Sequence, residues 1–228
     1  MKALLIVLLV LVGLAAVADR VAVRVAENQV GAQIARQAGL HGSPAVHIGG
    51  FPFLTQAVAG RYQDVRISLP AEALGQPGTS ADVDLRGVRV PLSAILSRSV
   101  QEIPVDSVDG TATISYAQLA AHIGPDTTLQ RAGDQLRITR TVELLGQRVP
   151  LTATGSVTLE GNQLVVDVQH ASGAGVQVPG FLVDQASNLL DLRYPVPALP
   201  FGLRLTSVVP ADDGVRVAVT AAQTVLHG

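Results

Sequence analysis

The chain has 228 residues, a formal net charge of −2 and no cysteine. This length suits one domain or two small ones, and the near-neutral charge gives no electrostatic basis for binding nucleic acid. Without cysteine, the chain can form no disulfide, thiolate metal site or cysteine nucleophile. Apolar residues make up 48% of the sequence, a surplus that indicates either an apolar cavity or a membrane contact.

The first predicted element is an apolar N-terminal segment. Lys2 precedes sixteen uncharged residues, and Ala16-Val17-Ala18 offers a small-x-small cleavage site. Such a run fits the core of a signal peptide and is short for a spanning helix. An uncleaved anchor and a buried core helix are the alternatives. We therefore predict that residues 1–18 are a signal peptide or membrane anchor, that residues 19–228 form a single exported domain, and that this domain lies in the periplasm or cell envelope.

Helical spacing continues beyond this segment. Apolar residues recur with a helical period at Val23, Ala26, Val30, Ile34 and Ala38, and Gly39 is a plausible stop. The pattern predicts a helix over 24–38. If the N-terminal segment is not removed, one long helix would carry the domain on a membrane stalk.

A motif rich in phenylalanine follows. Phe51 and Phe53 flank Pro52, and the other two phenylalanines, Phe181 and Phe201, also lie within two residues of a proline. Proline favours loops and sheet edges over strand centres. We expect these rings at the rim of a site, and the alternative is that they close the ends of an ordinary core.

Alternating apolar and polar residues predict strands over much of the remaining chain. The clearest run, 135–170, reads as a three-stranded antiparallel meander. A second strand is predicted from Val58 through Gly60 to Leu69, and a change of phase at Gly87 predicts a bulge in a third. The C-terminal part predicts a hairpin that turns at 210–214.

Few helices are predicted in this part. Ser115 and Gln118 have the spacing of a capping box, and Gly124 follows as a stop. A further helix is predicted from Pro179, and the closely spaced prolines of 194–201 predict an extended connection. The expected fold is α+β and strand-dominated: a curved antiparallel sheet, partly covered by a few helices, whose apolar face forms a groove.

The sequence shows no catalytic pattern. None of the five histidines has a partner at metal-ligand spacing, and no acid–base pair can be assembled. We therefore expect a protein that is not an enzyme and that has neither a metal nor a cofactor.

One stretch carries a family resemblance. The run 50–56 (Gly-Phe-Pro-Phe-Leu-Thr-Gln), followed by Gly60 and preceded by Val46-x-Ile48, resembles the LmeA family of actinobacterial envelope proteins. The resemblance extends as a pattern along most of the chain, with Gly87-Val88 in the next strand. It implies phospholipid binding, a link to phosphatidylinositol-type lipids and a role in the mannan elongation of lipoglycans. By analogy with tubular lipid-binding folds, the groove would hold acyl chains.

The resemblance and the aromatic motif together give a predicted lipid site. Its apolar members, at the mouth of the groove or against the membrane, are Phe51, Phe53, Leu54, Phe181, Leu182 and Phe201. Arg61 and Arg204, or Arg66, would meet a lipid phosphate. The expected partners are phospholipid, a membrane surface and envelope glycosyltransferases. Two other functions stay open: a scaffold for envelope glycosyltransferases that binds no lipid, and an enzyme acting on envelope glycans or lipids.

Overall fold

The computed structural model describes residues 2–97, 100–124, 126–144, 147–160, 163–173, 176–177, 193–195, 199 and 202–227. The helices are α1 (Lys2–Ala38), α2 (Phe53–Ala59), α3 (Ala71–Leu74), α4 (Leu92–Leu96) and α5 (Tyr116–Ile123). The strands are β1 (Ala45–Ile48), β2 (Arg61–Leu69), β3 (Ser80–Arg89), β4 (Glu102–Ser115), β5 (Thr127–Ala132), β6 (Gln135–Leu144), β7 (Gln147–Glu160), β8 (Gln163–Gly173), β9 (Val176–Gln177), β10 (Arg193–Pro195), β11 (Arg204–Pro210) and β12 (Gly214–His227).

The predicted α+β, strand-dominated architecture is confirmed. The strands form two antiparallel sheets, with orders β1-β2-β3-β4-β12-β11 and β10-β8-β7-β6-β5, and β9 pairs with β8. The chain divides into two compact units. The first comprises Met1–Gln76, Ala81–Gly110 and Thr220–Gly228, and the second comprises Pro77–Ser80 and Thr111–Val219.

In the first unit, α1 is followed by the strands β1, β2 and β3. Strand β2 pairs antiparallel with β1 on one side and with β3 on the other. The helix runs unbroken to Ala38, and Gly39 ends it with φ +62°, as its position predicts. The predicted change of phase in β3 is also present, because Leu85 and Val88 are both buried although they are three residues apart. Between them Gly87 has φ +64°, a conformation that favours glycine, and a Cβ there would collide with the Asp106 carboxylate.

The segment before β2 differs from its prediction. Val58 and Gly60 do not extend the strand: Val58 lies in α2, and Gly60 ends that helix with φ +65°. The helix forms because it buries Phe53 and Gln56 together on one face. The Gln56 amide donates to the Gly49 carbonyl at 3.1 Å and accepts the Gln63 N–H at 3.0 Å, so the buried side chain is satisfied on both sides.

The second unit contains the predicted meander. Strands β6, β7 and β8 pair antiparallel, with a register shift between Thr154 and Gly155, and β5 extends the sheet beside β6. Helix α5 packs on this sheet. A buried cluster of Ala120, Leu129, Leu136, Ile138 and Val166 joins the helix to the strands.

The helix α5 begins as its capping motif predicts. The Ser115 hydroxyl accepts the Gln118 N–H at 3.3 Å, and Gly124 follows the last helical residue. The predicted hairpin around 210–214 joins β11 and β12. In the proline-rich stretch, Tyr194 and Pro195 belong to the edge strand β10 rather than to an irregular connection. Proline is tolerated there because an edge strand has one unpaired side. The helix predicted from Pro179 lies outside the described residues.

Candidate functional site

Helix α1 contacts the rest of the first unit along a single stripe. Asp19, Val23, Glu27 and Gly31 recur every four residues, which places them on one helix face. Asp19, Val23 and Gly31 are buried, and Asp19 is only 2% exposed. This stripe fixes residues 19–31 of the helix against β1 and α2.

Asp19 joins α1 to the start of α2. Its Oδ1 accepts the Leu54 N–H at 2.8 Å, and its Oδ2 accepts from the Arg20 guanidinium at 2.9 Å. The first N–H groups of a helix have no partner within that helix, and a carboxylate at this end is also favoured by the helix dipole. Asp19 therefore supplies from another element the cap that Pro52, which makes no side-chain cap bond, does not provide.

Glu27 and Gly31 continue the attachment. The Glu27 carboxylate accepts the Ile48 N–H at 2.8 Å and lies 3.1 Å from His47 Nδ1, at the end of β1. At Gly31 an added Cβ would lie 2.8 Å from the Pro44 carbonyl oxygen. Only glycine permits this close approach of the helix to the chain that enters β1.

The part of α1 that precedes the stripe is exposed and apolar. Residues 3–18 carry no charge, and the large apolar side chains between Leu4 and Val17 are all more than half exposed. Among the described residues, α1 is the one helix long and apolar enough to cross a membrane. The exposed run thus ends directly at Asp19, where contact of α1 with the rest of the first unit begins.

The aromatic motif next to this point is split by burial. Phe53 is 6% exposed, and its ring centroid lies 6.2 Å from that of Tyr62, whose pKa is raised by burial. Phe51 is 65% exposed and lies under the Arg20 guanidinium, 5.1 Å from its ring centroid. Leu54 is exposed as well. The prediction treated the two rings alike, but the structure buries one and exposes the other.

An exposed apolar surface, here named the α2–α4 face, extends from Phe51. It consists of Phe51, Leu54, Val58, Leu92 and Ile95. Leu54 and Val58 lie four residues apart on α2, and Leu92 and Ile95 lie three apart on α4, so each pair shares a helix face. The two helices are neighbours, because the Gly60 carbonyl at the end of α2 accepts the Val90 N–H at 3.0 Å just before α4.

The predicted phosphate-binding arginines have different surroundings. Arg61 is exposed at the start of β2, and it has no acidic partner among the described residues. Arg66 is paired with Asp84 at 2.6 Å, and this pairing raises its pKa. Arg204 is exposed at the start of β11, in the second unit. Of the predicted site, Phe51, Leu54 and Arg61 are thus exposed residues of the first unit. Phe181, Leu182 and Phe201 lie outside the described residues.

The second unit contains an open cleft between α5 and β5, with a volume of about 560 Å³. Ala117, Ala120 and Leu129 give it an apolar lining, and the Thr127 hydroxyl beside it is buried without a hydrogen-bond partner among the described residues. Burial raises the pKa of Tyr116, which lies at the start of α5. None of the described members of the predicted lipid site lines this cleft.

The sequence reasoning missed the polar residues of the stripe. Neither Asp19 nor Glu27 is among the residues that the sequence predicts for a site. The available signal was their shared spacing of four with Val23 and Gly31, which is typical of a helix face in contact with other structure. Their partners, 35 and 21 residues further along the chain, could not be read from that spacing.

Comparison with known proteins gives one match. The family model described as LmeA-like phospholipid-binding matches residues 17–220, which is most of the chain. Neither a curated protein nor a solved structure matches it significantly. The match confirms the resemblance carried by the motif around Phe51, and the chain belongs to the LmeA-like phospholipid-binding family.

Proposed function

We propose that this chain is a membrane-anchored phospholipid-binding protein of the cell envelope, with a binding rather than a catalytic role. Membership of a phospholipid-binding family supports phospholipid as the ligand. The structural observation that supports a membrane anchor most directly is the continuity of α1. Its exposed apolar residues 3–18 lead without a break into the stripe that begins at Asp19. A helix in a bilayer would thus hold the first unit where phospholipids are available.

The lipid contacts proposed in the first unit are Phe51, Leu54 and Arg61. Phe51 and Leu54 offer apolar surface for acyl chains, whereas Arg61 offers a guanidinium that no described carboxylate engages. A guanidinium forms charge-assisted hydrogen bonds with phosphate oxygens. Arg66 is a weaker candidate for phosphate binding because its guanidinium already forms an ion pair with Asp84. Arg204, together with Phe181, Leu182 and Phe201, stays in the proposal as a second group of contacts.

Native mass spectrometry of the full chain, extracted from membranes in mild detergent, tests the proposal. We expect adducts with phospholipid masses, and fragmentation of the adducts identifies the headgroup. Arg61→Ala should reduce the share of anionic lipid bound, whereas the matched variant Arg66→Ala should leave it unchanged. A spectrum without lipid, together with no binding to phospholipid vesicles, would contradict the proposal. A co-purified glycosyltransferase in that case would favour the scaffold function.

The finer part of the proposal concerns the lipid and its use. Following the family resemblance, we propose that the lipid is of the phosphatidylinositol type and that the protein supports lipoglycan (mannan) assembly. In cells that lack the protein, the lipoglycans should be shorter on gels, and the full chain should restore them better than Arg61→Ala does. Unchanged lipoglycans in the deletion strain would refute this role without affecting the lipid-binding result.

A further inference from the structure

We infer that the α2–α4 face lies in the boundary between headgroups and acyl chains of the same bilayer that α1 enters. The inference rests on the proposed function, because it requires α1 to be a membrane anchor. It adds a second attachment, formed by the folded unit itself. The occupant of the face is then the surface of a phospholipid bilayer.

The composition of the face fits this occupant. Residues 48–60 and 90–97 contain no charged side chain, although both segments reach the surface of the first unit. Val58 is 78% exposed and Ile95 is 42% exposed, so large apolar side chains face outward from two adjacent short helices. An apolar surface that combines several such residues marks an interaction site, and helices of this kind lie in the plane of the interface.

Two hydroxyl groups on the helices of the face are already hydrogen-bonded within the protein. The Thr55 hydroxyl donates to the Pro52 carbonyl at 2.8 Å, and the Ser97 hydroxyl donates to the Ser93 carbonyl at 2.8 Å. A hydroxyl that has an internal partner costs less free energy to remove from water than one that has none. The face can therefore leave water without abandoning these hydrogen bonds.

The point where α1 extends beyond its contacts with the rest of the first unit adjoins this face. Asp19 is bonded to Leu54, and the guanidinium of Arg20 lies over the Phe51 ring. Asp19 is the first charged residue after the apolar run, so the two residues that follow the run directly contact the edge of the face. A bilayer that holds the run therefore reaches the face.

The length of the apolar run indicates how close the α2–α4 face lies to the hydrocarbon core of the bilayer. Sixteen helical residues extend about 24 Å at 1.5 Å per residue, whereas the hydrocarbon core is about 30 Å thick. Such a mismatch draws the flanking residues toward the bilayer or thins it locally. Asp19 tolerates this position because protein donors occupy both of its oxygens, and Arg20 can extend toward the phosphates. Phe51 and Leu54, which contact Arg20 and Asp19, would move toward the bilayer together with these two residues.

The absence of native cysteine permits a clean labelling experiment on the full chain. Single-cysteine variants Val58→Cys and Ile95→Cys place an environment-sensitive fluorophore on the face. Gln76→Cys is the matched control, because it is exposed in the same unit but follows α3, beyond the far end of β2. The length of β2 separates the two ends by about 26 Å. Leu9→Cys reports on insertion of α1.

Each variant is reconstituted in vesicles of phosphatidylcholine and phosphatidylglycerol that carry spin-labelled lipid. We expect blue-shifted emission and quenching at positions 9, 58 and 95, with water-like emission at position 76. Quenching at 9 without quenching at 58 and 95 would overturn the inference and leave the anchor intact. No quenching at 9 would overturn the anchor and the inference with it. The lipid adducts seen by mass spectrometry report separately on phospholipid binding.

A second copy of the chain is the competing occupant. It would also shift the emission at position 58, but the shift would depend on protein concentration and would persist in detergent without quenching by labelled lipid. That result would overturn the inference. Circular dichroism of every variant should match that of the unmodified chain, since all labelled side chains are exposed.

Discussion

Replacing Phe53 and Phe51 separately by alanine tests whether one ring of the aromatic motif belongs to the core and the other to the surface. Phe53 is 6% exposed and packs against Tyr62, so its loss removes a buried ring and leaves a cavity. Truncating a buried phenylalanine typically lowers the free energy of unfolding by about 3–5 kcal/mol. Phe51 is 65% exposed and contacts the Arg20 guanidinium, so its truncation should lower that free energy by less than about 1 kcal/mol.

The assay is chemical unfolding of the full chain in detergent, followed by circular dichroism and by tyrosine fluorescence. The chain has no tryptophan and three tyrosines, of which Tyr62 lies beside the substituted ring. We expect a large decrease in the unfolding midpoint for Phe53→Ala and little change for Phe51→Ala. Because α1 would hold the full chain on vesicles in either variant, membrane contact of the motif is read from a fluorophore on Val58→Cys; Phe51→Ala should reduce its quenching by spin-labelled lipid while the fold is kept. Equal destabilisation by the two variants would refute the assignment of Phe53 to the core and Phe51 to the surface.

Three further outcomes follow from the packing of the first unit. Gly31→Ala should lower the unfolding midpoint although alanine has the better helix propensity, because the added Cβ would lie 2.8 Å from the Pro44 carbonyl oxygen. The control Gly13→Ala, whose Cβ would have no atom within 4 Å, should not lower the midpoint. Asp19→Asn should keep an acceptor for the Leu54 N–H and protect that amide from hydrogen exchange better than Asp19→Leu does; equal protection would contradict the capping role. Because burial raises the pKa of Tyr62 above 10.0, folding stability should fall as the pH rises past that value, and Tyr62→Phe should reduce the fall.

The two carboxylates of the stripe attach α1 to the rest of the first unit through hydrogen bonds. Asp19 and Glu27 each accept a backbone N–H from a different element, α2 or β1. Hydrogen bonds to charged groups contribute more to stability than neutral ones. The helix is therefore attached by directional contacts in addition to the apolar contact of Val23. Such an attachment fixes the orientation of β1 and α2 relative to the axis of α1.

Local patterns in the sequence predicted several elements correctly. The period of two along 135–170 predicted the meander, and the spacing of Ser115 and Gln118 predicted the start of α5. Gly39 and Gly87 marked positions with positive φ. These features depend on neighbouring residues only: alternation sets which face of a strand is apolar, and glycine alone adopts the required backbone conformation at low cost.

The sequence by itself thus determined the strand-dominated α+β class, the end of α1 and the family to which the motif around Phe51 belongs. Only the tertiary structure decided that Phe53 is buried while Phe51 is exposed, and that Asp19 caps a helix 35 residues away. Both phenylalanines flank the same proline, so their local signals are nearly identical. Their different burial arises from contacts with Tyr62 and with α1, which come together only when the chain folds.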